Sequence, residues 1–303
     1  MTETLDPHAG RFLDMLALKG GEAARLGIAE RRAAFANLMR FGGSGPDGVG
    51  VETVHANRPI RLYRPMAASA TGIVFFHGGG LVAGSLDTHD SLCRMLAAAS
   101  GCNIFSVDYR LAPEHPFPTG LEDASKSLRW VFEKATAYGL DRVGIGGDSA
   151  GGTLAAITAA QWPADALKPL AFQLLLCPIL DFAGEMPSRR AFPSAILDQA
   201  TLDHDIALYT ADAVARDDPK ISPLRAAQFA GLPPTFLHMA QCDPLRDEEA
   251  AYAERLRGAG VELHETYHAG MPHLFYAFSG VIPAAKAAVT TIGAELADWL
   301  KQS

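Results

Sequence analysis

The chain has 303 residues, 49% of them hydrophobic, which is enough to bury the core of one large domain. The formal net charge of −8 at pH 7 argues against nucleic-acid binding, which needs clustered Lys and Arg. The N-terminal MTETLDPHAG lacks a signal-peptide pattern, and the apolar stretch 170–180 is too short to span a bilayer. We therefore expect a cytoplasmic protein that binds neither nucleic acid nor membranes.

The first predicted elements along the chain are a helical opening and a pair of short strands. Residues 10–41 are polar and compatible with helix, and GGSGPDG at 42–48 combines the residues of a loop. VGVETVHAN at 49–57 and IRLYRP at 60–65 alternate in polarity, which predicts an antiparallel strand pair.

From residue 71, continuous apolar runs alternate with helical patterns. Such runs are typical of parallel strands covered by helices on both faces; they are TGIVFF, NIFSVDY, RVGI, AFQLLLCPIL and PTFLHMAQC. Helical patterns occupy 88–100, 121–135, 152–161 and 245–257, with Gly101 and Gly258 at the expected helix C-caps. A last helix places Ala285, Val289, Ile292, Leu296 and Trp299 on one stripe. The alternation predicts a doubly wound α/β fold.

One insertion interrupts this alternation. Between the last two apolar runs, residues 198–213 carry apolar side chains at helical spacing. We predict that residues 184–222, together with the N-terminal residues 1–45, form a helical cap. The catalytic domain then comprises residues 46–183 and 223–303.

A single serine stands among small residues in the stretch IGGDSAGG at 145–152. The stretch joins the strand-like RVGI to the helical GTLAAITAAQ. Small neighbours at such a junction are typical of a nucleophile elbow, because strand and helix must pass closely around a strained serine. We predict that Ser149 is the nucleophile and that the Ala150 N–H, at the start of a helix, is an oxyanion donor.

A second glycine-rich stretch, HGGG at 77–80, also follows an apolar strand. Without Cβ atoms, its backbone N–H groups can approach a ligand at the carboxyl end of the sheet. Gly78 and Gly79 are the predicted oxyanion donors, and His77 is interpreted as a side chain that braces the loop.

An activated serine needs a base and an acid that orients the base, in the chain order Ser, acid, His for this architecture. Asp181 and Asp243 each follow an apolar strand, and geometry alone allows either. Of the three histidines after Asp243, which are His264, His268 and His273, only His273 lies in a loop broken by glycine and proline.

Five ordered motifs resemble the hormone-sensitive-lipase-like family of α/β-hydrolase esterases, bacterial family IV. The match covers roughly residues 71–280; the motifs are HGGG at 77–80, YRLAPEHPFP at 109–118, GDSAGG at 147–152, DPLRDE at 243–248 and GMPH at 270–273. The resemblance implies an α/β-hydrolase fold with a mostly parallel sheet of about eight strands, helices on both faces and a small helical cap.

Carried over by motif, the resemblance also assigns the site. It makes Ser149 the nucleophile, Asp243 the acid and His273 the base, and it agrees with Gly78, Gly79 and Ala150 as oxyanion donors. It thereby favours Asp243 over Asp181. In the YRLAPEHPFP loop we expect Arg110 and Glu114 to form a bracing ion pair.

These observations predict a serine carboxylesterase for short- to medium-chain acyl esters of small molecules. An amidase, formamidase or lactonase uses the same machinery and is the alternative within enzymes. A ligand-binding module without turnover is the alternative outside them, although relatives of that kind lack the catalytic histidine that stands here as His273. No cofactor is expected.

The most distinct rival is a zinc enzyme, because HETYH at 264–268 matches the HExxH pattern. That pattern requires a helix, whereas the alternating VELHETY predicts a strand, on which the two histidines would lie about 13 Å apart. We therefore expect no metal. The cysteines are scattered without paired spacing and are expected to be buried thiols; they are Cys93, Cys102, Cys177 and Cys242. Residues 261–267 are predicted to be the last strand, at the sheet edge. In the resembled family such an edge often pairs in a homodimer.

Overall fold

The strands of this computed structural model, which describes residues 4–18, 26–162, 168–192 and 195–302, join in one sheet. Within these residues eight strands follow the order β1-β2-β4-β3-β5-β6-β7-β8. Their bounds are β1 Val49–His55, β2 Pro59–Pro65, β3 Thr71–Phe76, β4 Asn103–Val107, β5 Arg142–Asp148, β6 Gln173–Leu176, β7 Thr235–Cys242 and β8 Leu263–Pro272.

The predicted antiparallel pair is confirmed, because β1 and β2 run antiparallel with Val49 opposite Pro65. Strand β2 pairs antiparallel with β4, and every other neighbouring pair is parallel. All residues of β3 and β4 are buried. Continuous apolar runs therefore form the interior strands, since a strand covered on both faces needs no polar side.

Helices pack on both faces of the sheet, and the structure describes α1 Pro7–Leu18, α2 Ile28–Met39, α3 Asp90–Ser100, α4 Thr119–Lys134, α5 Ala150–Gln161, α6 Pro187–Ala191, α7 Gln199–Thr210, α8 Arg246–Gly258 and α9 Pro283–Gln302. The predicted stripe on α9 is buried at Ala285, Val289, Ile292 and Leu296. None of the described helices combines the length and hydropathy needed to cross a bilayer.

The ends of α8 and β8 differ from the sequence prediction. Gly101 caps α3 with a left-handed φ of 70°, as predicted, but Gly258 is the last residue of α8 and the cap is Ala259. The last strand runs to Pro272 rather than ending at residue 267, because the pairing with β7 resumes at Cys242 and Pro272 after an irregularity. Gly270 and Pro272 therefore belong to the strand, and His273 follows it directly.

Candidate active site

The turn between β5 and α5 holds Ser149 in a strained conformation at the carboxyl end of the sheet. Its φ of 50° and ψ of −121° lie outside the regions that L residues usually adopt. The Ser149 N–H donates to the Leu176 carbonyl of β6 at 2.9 Å, which fixes the turn against the neighbouring strand. A residue after a strand and before a helix is thereby aimed out of the sheet, as a nucleophile requires.

The small residues around Ser149 are required by close backbone packing. A Cβ on Gly147 would collide with the backbone of Gly151, and a Cβ on Gly151 would collide with the carbonyl of Phe76 on β3. A Cβ on Gly152 would lie 2.8 Å from Pro178 Cβ. Helix α5 can therefore cross the ends of β3 and β5 only because these positions lack side chains.

Ser149, His273 and Asp243 form one hydrogen-bonded chain. The Ser149 Oγ lies 3.0 Å from His273 Nε2, and His273 Nδ1 lies 2.8 Å from Asp243 Oδ2. The other oxygen of Asp243 accepts the Leu245 N–H at 2.8 Å, which holds the carboxylate in place. All three residues are buried at 4% exposure or less. The arrangement has the contacts of a nucleophile, a base and an orienting acid.

Asp181, the alternative acid, and the other two histidines of β8 bind partners outside the chain of contacts that joins Ser149, His273 and Asp243. Asp181 accepts two hydrogen bonds from Arg225, at 2.7 and 3.0 Å. His264 Nε2 lies 2.9 Å from the Glu262 carboxylate, and His268 Nε2 lies 3.3 Å from His238 Nδ1. The HETYH stretch lies on β8, as the alternation predicted.

The glycine loop after β3 corrects one predicted oxyanion donor. The Gly78 N–H donates to Asp148 Oδ1 at 3.0 Å, so Gly78 cannot also donate to a substrate, and that prediction is wrong. Gly79 and Gly80 line the cavity beside Ser149, and no described residue accepts a hydrogen bond from either N–H. The Ala150 N–H opens α5, where N–H groups have no intrahelical acceptor. Gly79, Gly80 and Ala150 are therefore the candidate oxyanion donors.

Buried side chains brace this loop from behind. The Asp148 carboxylate that holds Gly78 also lies 3.2 Å from His89 Nε2. His77 stacks on the Tyr109 ring at 4.4 Å, and Tyr109 Oη donates to the His77 carbonyl at 2.6 Å. Burial lowers the pKa of His77 to about 3, which keeps its ring neutral. Neither Gly80 nor Asp148 was singled out from the sequence. The signals that could have found them are the third glycine of HGGG and the aspartate of GDSAGG.

The predicted ion pair in the YRLAPEHPFP loop is wrong. Arg110 binds Asp123 of α4, with Nη2 at 2.8 Å from Oδ1, and Glu114 binds Arg32 of α2 at 2.6 Å. Asp123 lies on the next helix, 13 positions after Arg110, whereas Arg32 lies 82 positions before Glu114. The loop is thereby tied both to α4 and to the N-terminal helix α2.

A cavity of about 370 Å³ opens above Ser149 and His273. Its walls come from the N-terminal helices, through residues such as Leu16 and Phe35, and from the α7 region, through Leu197 and Leu202. Most of the lining side chains are apolar. The cavity therefore favours an apolar group attached to the carbonyl that Ser149 would attack.

The one group of three potential metal ligands found in the described part of the chain overlaps this site. The Cys177 thiol, the Asp243 carboxylate and the His273 ring offer atoms within 4.8 Å of one another. The ring and the carboxylate already bind each other. Burial raises the pKa of the Cys177 thiol, which disfavours the thiolate that a metal needs.

The chain matches an α/β-hydrolase-fold family profile over residues 73–277. It is 36% identical to an ethyl acetate hydrolase of Pseudomonas putida over 91% of this chain and 89% of the relative. It is 40% identical to the carboxylesterase NlhH of Mycobacterium tuberculosis over 75% and 74% of the two chains. An α/β-hydrolase enzyme from the metagenome of Lake Arreo superposes with a TM-score of 0.91 at 33% identity, over 98% of this chain and 99% of that one. The chain therefore belongs to the hormone-sensitive-lipase-like family of the α/β-hydrolase fold.

Proposed function

We propose that this protein is a serine carboxylesterase that hydrolyses short- to medium-chain acyl esters of small molecules. The observation that carries the proposal is the chain of contacts from Asp243 through His273 to Ser149 at the floor of an apolar cavity. The carboxylesterase relative and the ethyl acetate hydrolase support ester hydrolysis as the reaction.

In the proposed mechanism Ser149 Oγ attacks the ester carbonyl while His273 Nε2 takes the hydroxyl proton. Asp243 stabilises the imidazolium and keeps Nδ1 protonated, and the N–H groups of Gly79, Gly80 and Ala150 stabilise the oxyanion. Collapse of the tetrahedral intermediate breaks the ester C–O bond, and His273 returns the proton to the leaving alcohol. Water then attacks the acyl-enzyme by the same route and releases the carboxylic acid.

We also propose that residues 1–45 and 184–222 act as the cap over a catalytic domain of residues 46–183 and 223–303. Support comes from the cavity walls, which both cap segments contribute. Parts of these segments, residues 1–3, 19–25 and 193–194, lie outside the described residues. A cavity of limited depth limits acyl length. Each methylene buried in it contributes roughly 0.8 kcal/mol to the free energy of binding, and carbons beyond its end contribute nothing.

The test is a series of esters of increasing acyl length, measured below their solubility limit. We expect kcat/KM to rise, to peak at about four to eight acyl carbons and then to fall. A fluorophosphonate probe should add covalently at Ser149 and abolish turnover, and peptide mass spectrometry locates the adduct.

The control is Ser149→Ala, which should fold normally, resist the probe and lose turnover. Arylamides, formamides and lactones of matched size belong in the same series. A higher kcat/KM for any of these classes than for esters would contradict the proposal, as would a steady rise toward long-chain triglycerides.

A further inference from the structure

One ion pair interrupts the apolar wall of the active-site cavity. Arg31 of α2 and Asp205 of α7 both line the cavity, and Arg31 Nη2 lies 3.0 Å from Asp205 Oδ2. The two side chains are only 10% and 4% exposed. A charged pair withdrawn from water in this way is costly unless its remaining polar atoms find partners.

The pair lies beside the groups proposed to act on the substrate carbonyl. The Asp205 carboxylate packs so tightly on Gly80 that a Cβ there would collide with Oδ2. The Arg31 guanidinium is thus separated from the Gly80 backbone by a single carboxylate. A substrate group that reaches the pair therefore stands only a few bonds from the scissile carbonyl.

Each partner keeps one buried polar atom without a hydrogen bond. Neither Arg31 Nε nor Asp205 Oδ1 has a partner among the residues that the structure describes. Asp205 Oδ1 lies 3.8 Å from His204 Nδ1, which is within the range of an ion pair but too long for a hydrogen bond. Unsatisfied buried polar groups are destabilising and rare, so a ligand that supplies a partner to each of these atoms would be stabilised here.

We propose that Arg31 and Asp205 recognise a hydroxyl group carried by the ester, close to its scissile carbonyl. A hydroxyl accepts one hydrogen bond and donates another, so it satisfies Arg31 Nε–H and Asp205 Oδ1 together. A ketone can only accept, and an ammonium can only donate. A carboxylate would bring net charge to a pair that is already neutral. The inference rests on the proposed esterase function and names its substrate class.

The experiment compares three esters of nearly equal shape. Ethyl 3-hydroxybutanoate can donate and accept, ethyl 3-oxobutanoate can only accept, and ethyl 3-methylbutanoate can do neither. Both enantiomers of the hydroxy ester are assayed. A second arm compares 2-hydroxypropyl with 2-methylpropyl butanoate, which places the hydroxyl on the alcohol side instead. The measured quantity is the ratio of kcat/KM for the hydroxy ester to that for its methyl analogue.

The test variant is the double substitution Arg31→Met with Asp205→Leu, which replaces the pair by apolar groups of similar volume. We expect the ratio to fall at least tenfold in one arm, because hydrogen bonds to charged groups are worth that much or more. The loss should appear mainly in KM, since substrate and transition state both make the contact. The keto ester should lose less than the hydroxy ester.

The matched control is Arg216→Met with Asp203→Leu. This pair joins α7 to the following loop through Arg216 Nη1 and Asp203 Oδ1 at 2.7 Å, and both side chains are more than 40% exposed. The control should leave the ratio unchanged. If the test variant does not fold, Arg31→Lys keeps the charge but lacks the Nε–H donor, and it should lower the same ratio.

Three outcomes overturn the inference: an unchanged ratio in both arms, an equal fall in the control pair, or an equal loss for the keto and hydroxy esters. Failure of the proposed function gives a different result. In that case the unaltered protein hydrolyses none of the esters, including ethyl 3-methylbutanoate.

Discussion

Two buried aspartates at the carboxyl edge of the sheet differ in what their carboxylates contact. Asp243 contacts a histidine ring and one backbone N–H, so its charge is available to the base. Asp181 is engaged by the Arg225 guanidinium through both oxygens. Both are aspartates that follow a strand, Asp243 directly after β7 and Asp181 five positions after the end of β6. Their partners separate them further.

We expect Asp243→Asn to fold but to lose about 10⁴-fold in kcat, because the amide would donate to His273 and favour the wrong tautomer. That magnitude is the one known for the same change in another triad enzyme. Steady-state kinetics with circular dichroism as a folding check measures it.

Asp181→Asn is the matched control for this prediction. It weakens the contact with Arg225 and should lower stability while changing kcat by only a few-fold. The reverse pattern, with Asp181→Asn inactive and Asp243→Asn active, would assign the acid to the segment that follows β6.

The turn between β5 and α5 shows that the position of a helix can require glycine. Gly151 lies in the first turn of α5, directly over the Phe76 carbonyl of β3. Gly258 ends α8 with no atom within 4 Å of an added Cβ. Both glycines lie in helices, so alanine substitutions at the two positions share the change in helix propensity. A difference between their effects on stability therefore reports packing.

We expect Gly151→Ala to lower the free energy of unfolding by at least about 2 kcal/mol, since the backbone it would meet cannot rotate away. Activity should fall as well, because a displaced α5 moves Ser149. Denaturant unfolding and an ester assay measure the two effects.

In the same assay Gly258→Ala should change the free energy of unfolding by less than about 1 kcal/mol, because alanine is the better helix former and has room here. Equal destabilisation by the two substitutions would contradict the packing argument.

At the level of the whole molecule, the described part of the sheet ends on one side at β8, whose neighbouring strand is β7. Near the end of β8 the Gly270 carbonyl accepts the Asp6 N–H at 2.9 Å, which covers part of this edge. The part of a sheet edge that stays unpaired offers backbone N–H and C=O groups to a second chain. Tyr267 on this strand is 48% exposed, although most large apolar and aromatic side chains are buried. These features favour pairing of β8 with its counterpart in a homodimer around a two-fold axis.

We expect light scattering at micromolar concentration to give the mass of a dimer. Tyr267→Lys should shift the equilibrium toward the monomer, because an edge lysine resists strand pairing. The control is Met66→Lys, since Met66 is 90% exposed and follows β2, far across the sheet order from β8. A monomer for the unaltered protein would contradict the prediction.

Much of the fold and site could be predicted because the relevant signals are local in sequence. Continuous apolar runs indicated the interior strands, and small residues around Ser149 indicated the elbow. The exceptions depend on tertiary contacts. The last strand extends to Pro272 because β7 pairs with it there. Glu114 pairs with Arg32, which lies on α2 and 82 positions earlier in the chain.

The sequence by itself predicted Ser149 and its elbow, because a strand, a tight turn and a helix start are encoded by neighbouring residues. Asp243 and His273 were predicted as its partners through the family motifs. Only the tertiary structure decided which N–H groups are free to act and what else faces the cavity. Gly78 and Gly79 look alike in HGGG, yet Asp148 occupies the N–H of Gly78. Arg31 and Asp205 lie 174 positions apart and meet only when the two proposed cap segments pack together. Which groups form hydrogen bonds and which residues line the cavity depend on distances in the folded chain. A local sequence pattern does not specify those distances.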